Sequence, residues 1–198
     1  LEIRGAGNVL GREQHGHLAA LGYAAYCEIL AEASNEAMGQ APPSRTFVTE
    51  VDLPLDAYLP AEYLAEPGLR LDIYQRLSRA EAVPEIRALE EELADRFGPP
   101  PHEAGSLLAL ARIRVMASAA GIQRVRATPR EMVFDFSPEA ARRPGSGGPL
   151  GAARGRVRLN PERPFQVRVA RVEGKPLEED LEETLGAQIR PGLRGASA

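Results

Sequence analysis

Three stretches of this 198-residue chain gather side chains able to do chemistry. The first is the opening, Leu1-Glu2-Ile3-Arg4-Gly5-Ala6-Gly7-Asn8-Val9-Leu10-Gly11, followed by Arg12-Glu13-Gln14-His15-Gly16-His17. Gly5, Gly7 and Gly11 let the backbone take left-handed torsions and pass close to a neighbour, which suits a phosphate cradle, a tight packing turn or a moving joint. The Gly5-x-Gly7-x-x-x-Gly11 spacing is one residue too long for the dinucleotide fingerprint, and the only lysine, Lys175, is far from it. A Rossmann cofactor site and a phosphate loop ending in Gly-Lys-Ser/Thr are therefore not expected. Arg4 offers a forked set of donors, and Gln14 offers a donor and an acceptor that can change partners. Glu13, His15 and His17 could share a metal, but no third and fourth ligand at tight spacing accompanies the imidazoles, so they read as ordinary loop residues.

The second stretch is Glu90-Glu91-Glu92 with Asp95 and Arg96. Nothing apolar in its pattern would raise a carboxyl pKa for acid-base work, so it reads as a solvated or partner-facing helix stripe. The third is a set of arginines, Arg156, Arg158 and Arg168, with Arg124 and Arg126 before them. On alternate positions of neighbouring strands they would line one sheet face, where they could meet phosphates or carboxylates or simply keep the face soluble. Both uses stay open. No nucleophile with a nearby base stands out, and no enzyme is expected from this chain by itself.

The net charge of −4 hides an asymmetry: residues 1–40 carry −3, 41–100 carry −6, 101–175 carry +8 and 176–198 carry −3. An acidic half precedes a basic one, so the chain can present opposite faces to different partners or to itself. Hydrophobic residues make up 43% of the sequence, enough for a real core. Cys27 is the single cysteine and cannot form an internal disulfide, which fits a reducing, cytoplasmic setting. No apolar run reaches the roughly 20 residues that span a bilayer, and no basic-then-apolar leader begins the chain. The sequence starts on an apolar strand without Met and reads as cut from something longer.

The elements that must position these groups follow from periodicity and punctuation. Leu18, Leu21, Ala25, Ile29 and Ala33 give the segment to about Met38 a wide apolar helical face, ended by Gly39, Pro42 and Pro43. Residues 47–53 read as an extended strand within a linker over 41–60. Leu69, Ile73 and Leu77 predict a helix to about Ala80; Pro84 opens a second, with Ile86, Leu89, Leu93 and Phe97 facing a core; Gly98 and Pro99-Pro100-Pro101 stop it. A third helix runs over about 102–120, its stripe Ala104, Leu107, Leu108, Ala111, Val115 and Ala119. Strands at 122–127 and 131–136 form a hairpin, 156–160 and 165–172 form a second pair, and 178–187 is a short acidic helix. Residues 137–155, rich in Gly and Pro, read as a flexible loop, and the tail from Pro191 should fray. The fold class is α+β: an N-terminal helical segment at 1–40, then a globular domain at 61–190 with a three-helix block, a small antiparallel sheet and a terminal helix.

The opening seventeen residues resemble the bacterial transcription-repair coupling factor family, at a motif it shares with the RecG branch-migration helicase. Two further blocks, Arg70-Leu71-Asp72-Ile73-Tyr74-Gln75-Arg76-Leu77 and Glu91-Glu92-Leu93-Ala94-Asp95-Arg96-Phe97-Gly98-Pro99-Pro100-Pro101, resemble that family's C-terminal domain and point away from the helicase. The resemblance covers about residues 1–125. It implies a superfamily 2 translocase that uses ATP and Mg²⁺ to move on duplex DNA, displaces stalled RNA polymerase and recruits excision repair through UvrA. It implies that Arg4, Gly5, Gly7, Gly11 and Gln14 belong to the translocation motif. It also implies that Glu92, Asp95 and Arg96 lie at an interface with a UvrB-like N-terminal module, hiding the UvrA-binding surface. The alternative is a nucleic-acid-binding module that uses Arg156, Arg158 and Arg168.

Overall fold

Leu107-Leu108-Ala109-Leu110-Ala111 and Ile113, Val115, Met116 and Ala117 are apolar on every side of one helix, and such a helix has to be enclosed. A computed structural model describes residues 49–142 and 155–186. In it this helix, His102–Ala119, is the centre of the molecule, with eleven of its residues buried. In chain order the elements are β1 (Glu50–Asp52), α1 (Pro67–Arg79), α2 (Val83–Phe97), α3 (His102–Ala119), β2 (Ile122–Ala127), β3 (Glu131–Phe136), α4 (Pro138–Arg142), β4 (Val157–Asn160), β5 (Arg163–Ala170) and α5 (Leu177–Gly186). Helices α1, α2 and α5 and strands β1 and β2 all contact α3. The strands form one sheet in the order β1-β2-β3-β5-β4.

Local sequence explains the element ends. Pro67 and Pro84 sit in the first turns of α1 and α2, where a missing N–H leaves no bond unmade. Gly98, at φ 84°, caps α2 before the prolines, its N–H donating to the Ala94 carbonyl at 3.0 Å. The last carbonyls of α1 are taken up by α3: the Arg114 guanidinium donates to Leu77 and Ala80 oxygens at 3.0 and 2.8 Å. A basic group at a helix C-terminus satisfies carbonyls that no intrahelical N–H can reach. Arg112, also on α3, donates to Glu90 of α2 at 2.7 Å and Glu182 of α5 at 2.9 Å, tying three helices together.

Three expectations are corrected. Residues 49–59 belong to the fold rather than to a linker: Val51 and Leu59 are buried, and the Thr49 hydroxyl donates to the Ile122 carbonyl at 2.7 Å. The sheet is mixed, not antiparallel, because β1 pairs parallel with β2 after a crossover through all three helices. Such a long connection is what parallel neighbours require. The predicted loop at 137–155 begins with α4, where the Ser137 hydroxyl accepts from the Ala140 N–H at 3.0 Å and so caps the turn. The N-terminal segment 1–40, residues 143–154 of that loop and the tail lie outside the described residues. No described helix is long and apolar enough to cross a membrane.

The join from α3 to β2 depends on Gly121, which has φ 71° and sits so close to α4 that an added Cβ would lie 2.4 Å from the Ala140 Cβ. Gly121→Ala combines a strained backbone with this clash, and strain of this kind costs about 1–3 kcal/mol before the clash is counted. Urea unfolding should show the variant destabilised by at least that much, and wild-type stability would contradict the packing described.

Candidate functional site

The acidic stripe near the end of α2 is organised by α1. Helices α1 and α2 present Arg76 and Glu92 to each other, and Arg76 Nη2 lies 2.6 Å from Glu92 Oε2. Arg96, one turn along α2, places Nη1 3.0 Å from Glu92 Oε1, so each carboxylate oxygen has its own guanidinium. Asp72 stands 3.9 Å from Arg76 on the outer side of α1. The hydrogen bond from Arg76, then that from Arg96, holds the Glu92 carboxyl below the usual glutamate range, and the bond with Glu92 in turn raises Arg76. A depressed pKa favours the folded state at neutral pH, and that contribution is lost as pH falls through the folded value.

One turn on from Glu92, Asp95 is exposed and makes no hydrogen bond or ion pair among the described residues. Arg96 lies over the Phe97 ring at 4.9 Å from its centroid, and Phe97 meets the Tyr63 ring edge-on at 6.2 Å. Tyr63 is fixed from below by hydrogen bonds from its hydroxyl to the Leu93 and Gly98 carbonyls. Glu92, Asp95 and Arg96 are thus brought together on one helix end, with Glu92 internally neutralised and Asp95 free. The sequence reading missed Arg76, although it lies within the quoted block Arg70-Leu71-Asp72-Ile73-Tyr74-Gln75-Arg76-Leu77, exposed at the flank of the buried Ile73 and Leu77 stripe.

The arginines of the sheet are not gathered into one free surface. Arg124 pairs with Glu50 at 2.7 Å, Arg126 with Asp135 at 2.8 Å and Arg168 with Glu131 at 3.2 Å. Arg156 turns to α5, donating to Asp180 at 3.1 Å and to the Ala170 carbonyl at 2.9 Å. Asp180 is fully buried and also accepts the Val172 N–H at 2.9 Å, so removing Arg156 would strand a buried charge. Arg158 alone of the five is exposed without an ion pair among the described residues. No group of His, Cys, Asp and Glu among the described residues could hold a metal ion. Lys175 pairs with Glu183. Arg4, Gly5, Gly7, Gly11 and Gln14 lie outside the described residues, as do Glu13, His15, His17 and Cys27.

The fold, five helices and a five-stranded mixed sheet among the described residues, is that of a repair-factor C-terminal domain. A solved structure of the C-terminal domain of transcription-repair coupling factor matches 74% of this chain and 94% of that one, with a TM-score of 0.63 and 22% identity. Residues 53–146 match the TRCF domain family. The transcription-repair-coupling factor of Staphylococcus aureus (strain USA300) is 42% identical over 127 residues, and that of Mycobacterium bovis 42% identical over 137 residues; each alignment covers 64% of this chain. Residues 53–146 thus form a TRCF domain, and over it the chain is similar to transcription-repair coupling factors. The chain spans about 11% of the length of these relatives.

The charge arrangement around Glu92 gives a direct check. In Arg76→Ala the Glu92 carboxyl, followed by NMR titration, should move up towards the ordinary glutamate value, and by more than in Arg96→Ala. An unmoved Glu92 in Arg76→Ala would contradict the geometry.

Proposed function

We propose that this chain serves transcription-coupled repair as the C-terminal part of a coupling factor, and that the end of α2 is a releasable intramolecular clamp. The observation that carries the role is the 42% identity to transcription-repair-coupling factors over 127 residues, together with the TRCF-domain match over residues 53–146, which hold α1, α2 and α3. What supports the clamp is the division of labour on α2. Glu92 is held in place by two guanidinium groups, while Asp95 and the outer side of Arg96 are offered to a partner. Exposed ion pairs contribute only about 0–1 kcal/mol each, so a contact built on them holds when the partner is tethered and yields when another binder competes.

In this reading the partner is the UvrB-like N-terminal module of the whole protein, and clamping hides its UvrA-binding surface until repair is called for. ATP and Mg²⁺ act in motor lobes preceding this chain, which move on duplex DNA and act on RNA polymerase. Arg4, Gly5, Gly7, Gly11 and Gln14 would couple lobe closure to that movement. The chain itself then contributes regulation and coupling rather than a reaction centre of its own. The nucleic-acid reading gains no support from the sheet, where four of the five arginines are already paired.

The clamp is tested in the full-length protein. Asp95→Ala combined with Glu92→Ala should raise UvrA affinity, by about tenfold if opening the clamp is worth 1.4 kcal/mol. UvrA binding that stays at the wild-type level would remove the autoinhibitory role.

A further inference from the structure

One row of cross-strand neighbours runs across the whole sheet on its helix-facing side: Val51, Val125, Phe134, Val167 and Leu159. Burial along it falls abruptly. Val51, Val125 and Phe134 are 2%, 0% and 0% exposed, Val167 is partly buried, and Leu159 is 73% exposed. Val157 on β4 and Phe165 on β5 share that side by alternation and are 37% and 38% exposed. Among the described residues the helices therefore cover β1, β2 and β3 and stop short of β4, leaving an apolar strip at the sheet's edge.

The other side of the same edge is cationic. Arg158 lies directly opposite Arg168 in the register, and with Arg130 they line a hollow of about 500 Å³ in which Glu131 is the one carboxylate, already paired with Arg168. The backbone between these faces is also open. No strand among the described residues pairs with the outer side of β4. The Ala170 N–H donates to the Arg156 carbonyl at 3.0 Å, so the antiparallel alternation turns the peptide groups of Arg156 and Arg158 towards β5 and those of Val157 and Leu159 outward.

We propose that the β4 edge is a docking site for an extended segment of another protein that alternates apolar and acidic residues, added as a sixth strand. The outward peptide groups of Val157 and Leu159 supply the ladder bonds. Apolar side chains of the guest continue the row past Leu159, and its carboxylates meet Arg158 and Arg130. One occupant then accounts for the uncovered leucine, the unpaired arginine and the open ladder together. Phosphates of a nucleic acid would use the arginines and leave Leu159 and Phe165 in water. A second copy of β4 paired antiparallel would set Arg158 beside arginines of its own kind, which is unfavourable on a sheet.

The test uses the whole 198-residue chain and two synthetic peptides, acetyl-Glu-Val-Glu-Val-Glu-Val-amide and its counterpart with Lys in place of Glu, with binding read by fluorescence anisotropy. The acidic peptide should bind and the basic one should not. Arg158→Glu should weaken the acidic peptide by about tenfold and admit the basic one. Leu159→Pro removes an outward N–H without touching the β5 pairing, and should abolish binding with the circular dichroism melt unchanged; Leu159→Ala, which keeps the N–H, should only weaken it. Three results overturn the proposal: no binding of the acidic peptide, binding that survives Leu159→Pro, or Arg158-dependent binding of duplex DNA in place of the peptide. A concentration-dependent dimer lost in Leu159→Pro, with no peptide bound, would assign the edge to self-pairing instead.

Discussion

Enclosing α3 is the constraint from which the rest of the domain follows. A helix whose Leu107, Leu108, Ile113 and Ala117 are all fully buried needs partners on every side, and a three-helix block supplies only some of them. The sheet and α5 supply the others, and residues 70 and 72 positions apart in sequence meet where α5 packs on this helix. The polar residues of α3 are used at its margins. Arg112 reaches out to α2 and α5, and Arg114 closes the end of α1, so the helix that makes the core also sets the positions of its neighbours. The spacing of α1 against α2, on which the Arg76–Glu92 contact depends, is thereby fixed from beneath.

This arrangement separates a rigid interior from a surface of modest, exchangeable charge contacts. Buried polar groups such as Asp180 are tied by Arg156 and the Val172 N–H, where loss of one partner would be costly. The contacts on the outer side of α1 and α2 are exposed and cheap to exchange. The proposed clamp needs both: an interior that stays unchanged when a surface contact is released, and a surface whose contacts can be traded for those of a competitor. The sheet edge at β4 is a second surface of the same kind, on the opposite end of the strand order from β1.

Much of the helical block was legible in the sequence because its signals are local. Proline in the first turns of α1 and α2, Gly98 with three prolines after it, and the spacing of Ile86, Leu89 and Leu93 act within a few residues, and the helix bounds fall within about two residues of those expected. What escaped was long-range. β1 falls in the stretch 47–53 that reads as an extended strand, but its pairing is decided by a partner strand 74 positions away, so the strand was placed within a linker. One apolar stripe was assigned to α3, and its full enclosure shows only when α5 and the sheet close over it. Arg156 read as one of a row of arginines on a sheet face and Asp180 as part of a short acidic helix, since nothing local reveals that a carboxylate in the run Glu178-Glu179-Asp180 points inward. Of the candidate interface, Glu92, Asp95 and Arg96 were visible through their spacing on one helix, but Arg76 was not, because the pairing of α1 with α2 is tertiary.

The central claim is that the end of α2 is a working surface that another part of the whole protein covers. The most direct measurement places a photo-crosslinking amino acid at position 95 of the full-length protein and maps the products by mass spectrometry. The account predicts that crosslinks form within the molecule to the UvrB-like N-terminal module and disappear when UvrA is bound. Crosslinks that never reach that module, or that are indifferent to UvrA, would contradict it.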